Sequence, residues 1–198
     1  MIRRLMLTTA VLALAACGAP EPEPTPEPTP EPAPAPAPAP GSAAETLTAA
    51  GFGPLRIGMT RAEVVAVLGD DANPGSVGGP DPESCDMFRP VRAPEGLLVM
   101  ILDGALGSVW VSRNAAVETD RGLNVGDTAA EVKRVYGAAA EVTPHKYSDA
   151  PAEYITVWTT AQHQGPSARG LKYTIGPDGL VESIAGGGDS ISYVEGCA

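Results

Sequence analysis

Few residues in this chain have both the type and the spacing to do chemistry. The first set is Leu14-Ala15-Ala16-Cys17, preceded by Arg3, Arg4 and an apolar run from Leu5 to Leu14. A peptidase that cuts before an acylated cysteine needs small residues at the two preceding positions and an aliphatic one at the third, so the spacing predicts removal of Met1–Ala16 and lipidation of Cys17 by palmitate-type acyl chains. The run is too short to cross a membrane as a stable helix. An ordinary secretory signal with an incidental Cys17 is the alternative. The other sulfurs are Cys85 and Cys197, a pair expected to form a disulfide in an oxidising compartment, against a buried free thiol and a flexible terminal one. Closing a loop of about 100 residues stabilises by about 4 to 5 kcal/mol in the chain-entropy view.

Catalytic arrangements do not emerge from the remaining side chains. The two histidines, His145 and His163, are separated by 18 positions with Asp149 the nearest acid, and the spacing nominates no third zinc ligand. There is no His-Glu-x-x-His, no Gly-x-Ser-x-Gly, no Cys-x-x-Cys and no glycine loop ending in Gly-Lys-Ser or Gly-Lys-Thr. Gly186-Gly187-Gly188-Asp189-Ser190 is glycine-rich, but it is expected to join two strands rather than open a helix, so it reads as a loop and not an anion nest. The expectation is a protein that is not an enzyme and that uses no cofactor and no metal.

Composition narrows the partners. Thirteen Lys and Arg face 24 Asp and Glu, and loss of Arg3 and Arg4 with the signal leaves 11 against 24, a net −13. Nucleic acid binding needs clustered cations and is not expected. From Pro20 to Pro40 every even position is proline, with Glu21, Glu23, Glu27 and Glu31 early and alanines later. Such a tract is held in polyproline II, and its 24 residues reach roughly 70 Å at about 3.1 Å each. Residues 17–42 therefore read as a lipidated cysteine and tether, with 43–198 as the folded domain. Gly18 in place of an aspartate after Cys17 resembles the sorting signal for the outer membrane in two-membrane bacteria. The expected location is the bacterial cell envelope, lipid-anchored at the outer membrane and facing the periplasm.

What would position any functional side chain is an internal repeat. Leu55-Arg-Ile-Gly-Met-Thr-Arg-Ala-Glu-Val-Val-Ala-Val-Leu-Gly69 aligns without gaps on Leu123-Asn-Val-Gly-Asp-Thr-Ala-Ala-Glu-Val-Lys-Arg-Val-Tyr-Gly137. Thr60 with Glu63, and Thr128 with Glu131, have capping-box spacing, which gives both carboxylates a structural task. Val64, Val67 and Leu68, like Val132, Val135 and Tyr136, form one apolar stripe per helix, and Gly69 and Gly137 follow as stops. Alternating segments come next: Leu97–Leu102 and Leu106–Ser112 around Asp103-Gly104, then Leu171–Ile175 and Leu180–Ile184 around Asp178-Gly179. Glu153–Thr159 and Ile191–Val194 are further expected strands. The fold class read from this is α+β: two tandem units, about 52–119 and 120–198, each a short helix followed by an antiparallel β-meander, with the helices on one sheet face.

The repeated Gly58-Met59-Thr60-Arg61-Ala62-Glu63-Val64 and Gly126-Asp127-Thr128-Ala129-Ala130-Glu131-Val132 resemble the tandem helix-and-sheet unit of the beta-lactamase inhibitory protein, and the single unit of the outer-membrane-assembly lipoproteins of the SmpA/OmlA type. His145-Lys146-Tyr147 with Tyr193-Val194-Glu195-Gly196-Cys197 resembles bacterial lipoproteins of the same architecture. The resemblance covers about 15 residues per copy and implies a protein-binding module that uses its open sheet face. Asp127 departs from the methionine of the first copy.

Strand alternation points to that face independently. If the aliphatic sides of 106–112 and 153–159 pack under the helices, the opposite side collects Trp110, Trp158, Tyr154 and Lys172 among small hydroxyls. Aromatics set among serines and threonines have the composition of a recognition surface. Burial of the tryptophans by loops, or between the repeats, is the competing expectation. The function read from the sequence is a non-enzymatic envelope lipoprotein that binds a protein partner, with glycan or small-ligand binding as the alternative and an envelope hydrolase as a weaker one.

Overall fold

The structure is a computed structural model that describes residues 45–75, 79–114 and 116–197. The signal segment, Cys17 and the tether lie outside the described residues. An N-terminal hairpin of β1 (Leu47–Thr48) and β2 (Gly51–Phe52) precedes α1 (Arg61–Leu68). Strands β3 (Cys85–Phe88), β4 (Leu97–Leu102) and β5 (Ala105–Ser112) follow, then α2 (Ala129–Tyr136) and strands β6 (Glu141–Pro144), β7 (Glu153–Trp158), β8 (Gly170–Ile175) and β9 (Val181–Gly187). The last seven strands form one antiparallel sheet in the order β3-β4-β5-β9-β8-β7-β6. The class is α+β.

Alternation decides which face is packed. Leu97, Val99 and Ile101 of β4, Val109 and Val111 of β5, Ile184 of β9, Leu171, Tyr173 and Ile175 of β8 and Ile155 of β7 share one core with Val64 of α1 and Val132 of α2. Each helix therefore buries one valine fully and spends its other stripe residues on partial cover. The N-terminal hairpin adds Leu47, Phe52 and Leu55 to the same core. At the sheet edge, all four residues of β6 are exposed, and Pro144 removes a donor that could have paired with another chain.

The helix starts dock on hairpins through matching bonds. Gly58 N donates to Leu106 O (2.8 Å), Leu106 N to Met59 O (2.7 Å) and Arg61 N to Gly104 O (3.1 Å). The same three recur as Gly126 N to Val181 O (2.9 Å), Val181 N to Asp127 O (2.8 Å) and Ala129 N to Gly179 O (3.0 Å). The repeated residues thus hold each helix start to the hairpin that follows it.

Several local expectations differ from the structure. Thr60 and Glu63 complete a reciprocal capping box, but in the second copy only Thr128 caps, because the Glu131 carboxylate accepts from Arg134 one turn later. Asp103 and Gly104 are the two residues of a tight hairpin, both at positive φ (48° and 80°). Asp178 and Gly179 instead sit inside the longer 176–180 connection, since β8 and β9 pair no further than Ile175 with Val181. The expected strand Ile191–Val194 is a 3-10 turn over Asp189–Ser192 leading to an irregular tail, and the glycine run Gly186–Gly188 ends β9 and enters that turn rather than joining two strands.

Candidate functional site on the sheet face opposite the helices

Strand register places the four nominated side chains on one face. One cross-strand row reads Met87, Met100, Ser108, Gly187, Gly170, Trp158, and the next core-free row reads Leu98, Trp110, Ala185, Lys172, Thr156, Glu141. A third carries Ser112, Ser183, Thr174, Tyr154 and Thr143. These rows alternate with the core rows, so all of them point away from α1 and α2.

The environments of the four differ. Trp110 is half-buried, and its indole Nε1 donates to Ser108 Oγ at 2.8 Å, which lays the ring along its own strand beside the half-buried Leu98. Trp158 is also half-buried, with its ring in contact with Gly170 and with His163. Opposite it stands Gly170, where a Cβ would come within 2.8 Å of the indole and 3.0 Å of Ile191, so only glycine lets ring and isoleucine lie on the backbone. His163 stacks on the same ring at 4.8 Å with an interplanar angle of 11°.

Lys172 and Tyr154 are covered rather than open, at 4% and 7% exposure. Lys172 Nζ donates to the carbonyl oxygens of Ser192 (3.4 Å) and Tyr193 (3.2 Å) and lies 4.4 Å from the centre of the Tyr154 ring. It forms no ion pair among the described residues, and burial pushes its pKa down to about 8. Over Tyr154 stacks His145 (4.7 Å, 30°).

Two segments of the chain supply this cover. One is His145-Lys146-Tyr147. The other is 189–197, which crosses the sheet from the end of β9 to the edge strand β3 and is joined there by the expected disulfide, Cys85 to Cys197, with Cα atoms 5.5 Å apart. Gly196 sits at φ 65° against Met87, where a Cβ would approach the thioether sulfur to 2.5 Å. Lys146 and Glu195 link the two segments at 3.2 Å. The outer surface they create exposes Tyr147 (60%), Tyr193 (45%) and Val194 (37%).

Both histidines are committed to aromatic stacks, and among the described residues no three His, Cys, Asp or Glu side chains gather as metal ligands. A cleft of about 530 Å³ runs from Leu98 and Ser112 around the ends of β4 and β5 to Glu95 and Arg113, extending the face. The crossing of the face by 189–197 is the feature sequence reasoning missed. The Cys85–Cys197 pairing was its available signal, since a tail bonded to the far edge strand must cross one sheet face to reach it.

No protein-family model matches this chain, and no curated protein does so. Among solved structures, it is similar to the DUF4309 family protein YjgB from Bacillus subtilis, at 18% identity and a TM-score of 0.40, over 65% of this chain and 78% of that one. An extracellular protein containing an SCP domain from Bacillus anthracis is similar at 8% identity and a TM-score of 0.43, over 67% of this chain and 44% of that one. Both likenesses are too distant to carry a fold or a function across.

Proposed function

We propose that this chain is a lipid-anchored envelope protein, not an enzyme, whose folded domain binds another protein through the sheet face that carries Trp110. The observation that carries the reading is the clustering of accessible apolar groups on that one side: Trp110 and Leu98 on the sheet, with Tyr147, Tyr193 and Val194 on the segments above it. Rigid aromatics among Ser112, Ser183 and Thr174 suit a protein interface. Glycan stacking would want a free ring face, and His163 already stacks on the ring of Trp158.

The domain is read as two tandem helix-and-meander units, in keeping with the resemblance to the beta-lactamase inhibitory protein and the SmpA/OmlA lipoproteins. The matched docking bonds at Gly58, Arg61, Gly126 and Ala129 support this. The anchor is Cys17, the tether 18–42 spaces the domain from the bilayer, and the outer membrane facing the periplasm is the proposed location. Intact-mass measurement of the mature protein should show an N-terminal cysteine carrying acyl mass. An unmodified cysteine, or an N-terminus elsewhere, refutes the anchor.

The interface is tested by a photo-crosslinking residue at Ser183, with the adducts identified by mass spectrometry. A discrete protein adduct should form, and Trp110→Ala should weaken it by the more than about 2 kcal/mol typical of an interface hot spot, with little change in unfolding midpoint. Trp158→Ala should behave differently and lower stability by about 2 kcal/mol, because its ring packs on Gly170 and against His163. Capture of glycan alone, or an adduct indifferent to Trp110→Ala, overturns the reading.

A further inference from the structure

The cover on this face is held unevenly. Ser190 and Ile191 are fully buried, and the 3-10 turn ends with Tyr193 N donating to Ser190 O at 3.1 Å. Beyond Tyr193, the backbone of residues 194–197 makes no hydrogen bond among the described residues. Among the described residues, that stretch is held by the exposed Lys146–Glu195 pair, of a kind worth little in water, the seat of Gly196 on Met87, the close approach of Gly79 to Cys197, and the covalent bond to Cys85. A segment with few buried contacts and exposed backbone opens locally at low cost once its one strong attachment is gone.

What lies beneath is not an ordinary core. Lys172 presents a buried ammonium whose carbonyl partners are Ser192 O in the 3-10 turn and Tyr193 O at the start of the exposed stretch, while at the far end of that stretch Gly196 faces Met87 and Met100, side chains that repack readily around different ligands. In a chain of net charge −11, this is a cation with no carboxylate paired to it among the described residues. A turning stretch of chain that brings a carbonyl oxygen to Lys172 at one end and Gly196 to the methionines at the other already occupies the site.

Building on the proposal that this face docks protein, we infer that residues 193–197 are a strap latched by the Cys85–Cys197 disulfide and opened by a dithiol reductant, and that the surface it vacates takes a peptide presenting a carbonyl or carboxylate oxygen to Lys172. The chemistry is thiol–disulfide exchange. A thiolate of the reductant attacks one sulfur of the pair, a mixed disulfide forms, and the second thiol of the reductant displaces the protein. Cys85 and Cys197 leave as thiols, having gained two electrons and two protons, and the reductant leaves as its disulfide.

The test uses the full chain and needs no partner, so its outcome is separate from that of the crosslinking at Ser183. Amines are acylated with a small N-hydroxysuccinimide ester and quantified by peptide mass analysis, with Lys133 and Lys146 as internal references. In the oxidised protein Lys172 should react at least about tenfold more slowly than Lys146. After dithiothreitol, or in Cys197→Ser without reductant, its rate should approach that of Lys146 while the amides of β8 and β9, weakened by the lost bond, still exchange far more slowly than those of 194–197. A synthetic Ile-Ser-Tyr-Val-Glu-Gly peptide in excess should then slow Lys172 again. Slow labelling that persists in both the reduced protein and Cys197→Ser overturns the latch. Labelling gained only with loss of protection across β8 and β9 also overturns it, since the domain then unfolds rather than unlatches. Failure of the peptide to slow labelling overturns the peptide site.

Discussion

Cys85→Ser is expected to lower the free energy of unfolding by about 4 to 5 kcal/mol, the largest effect of any single substitution considered in this domain. The bond joins positions 112 residues apart, spanning most of the described domain. In the unfolded chain such a long closed loop removes much conformational freedom, and restoring that freedom stabilises the unfolded state. Denaturant unfolding of wild type and variant under non-reducing conditions measures the difference. Cys197→Ser and the double variant should match Cys85→Ser, because either single change already abolishes the one shared bond. A loss below about 1 kcal/mol in all three would show that the tail and β3 are not joined in the folded protein. The domain should nevertheless remain folded, since the helix and sheet core lies on the opposite side of the sheet from the bond.

The sequence was most legible where structure is local. The cap at Thr60, the stripe that begins at Val64 or Val132, and the Asp103-Gly104 turn are each written in fewer than ten residues, and each is present in the structure. Elements without a local pattern were not legible. β3 is Cys-Asp-Met-Phe with no alternation, β6 carries a proline and is exposed on all sides, and β1 and β2 have two residues apiece. Side-chain parity on the strands predicted one face for Trp110, Trp158, Tyr154 and Lys172, and the register places them there. Their burial was not legible, because the covering groups come from elsewhere in the chain: Ser192 and Tyr193 over Lys172, His145 over Tyr154, His163 on Trp158. Period-two reasoning gives the side of a sheet and nothing about what crosses it. The same limit explains Ile191–Val194, whose apolar and β-branched residues read as a strand but whose backbone turns to bring Ile191 down onto Gly170.

Lys172 makes stability depend on pH in a direction set by its burial. Its pKa is pushed down to about 8 in the folded protein, against about 10.4 for a lysine in water. Below pH 8 both states are protonated, and the folded state bears the full cost of burying the charge. As pH rises from about 8 toward 10 the folded amine sheds its proton first, the unfolded state binds more protons, and stability must rise. The full shift corresponds to about 3 kcal/mol as an order of magnitude. The neutral amine still donates to Ser192 O and Tyr193 O, so the contacts survive the titration. Two tyrosines limit the window from above. Burial raises the pKa of Tyr173 and Tyr136, so above about pH 10 the unfolded state ionises first and stability falls again. Wild type should therefore show an alkaline maximum near pH 10, measured by denaturant midpoints at closely spaced pH. In Lys172→Met, which replaces the cation by an apolar chain of similar length, the rise between pH 8 and 10 should vanish while the fall above 10 remains. The variant should be at least as stable as wild type at pH 7, since the desolvation cost it removes exceeds the roughly 1 kcal/mol of a typical hydrogen bond that it forfeits at each carbonyl. A wild-type curve that is flat from pH 8 to 10, or a Lys172→Met curve that keeps the rise, would show that the amine reaches water and that the segment above it does not seal the face.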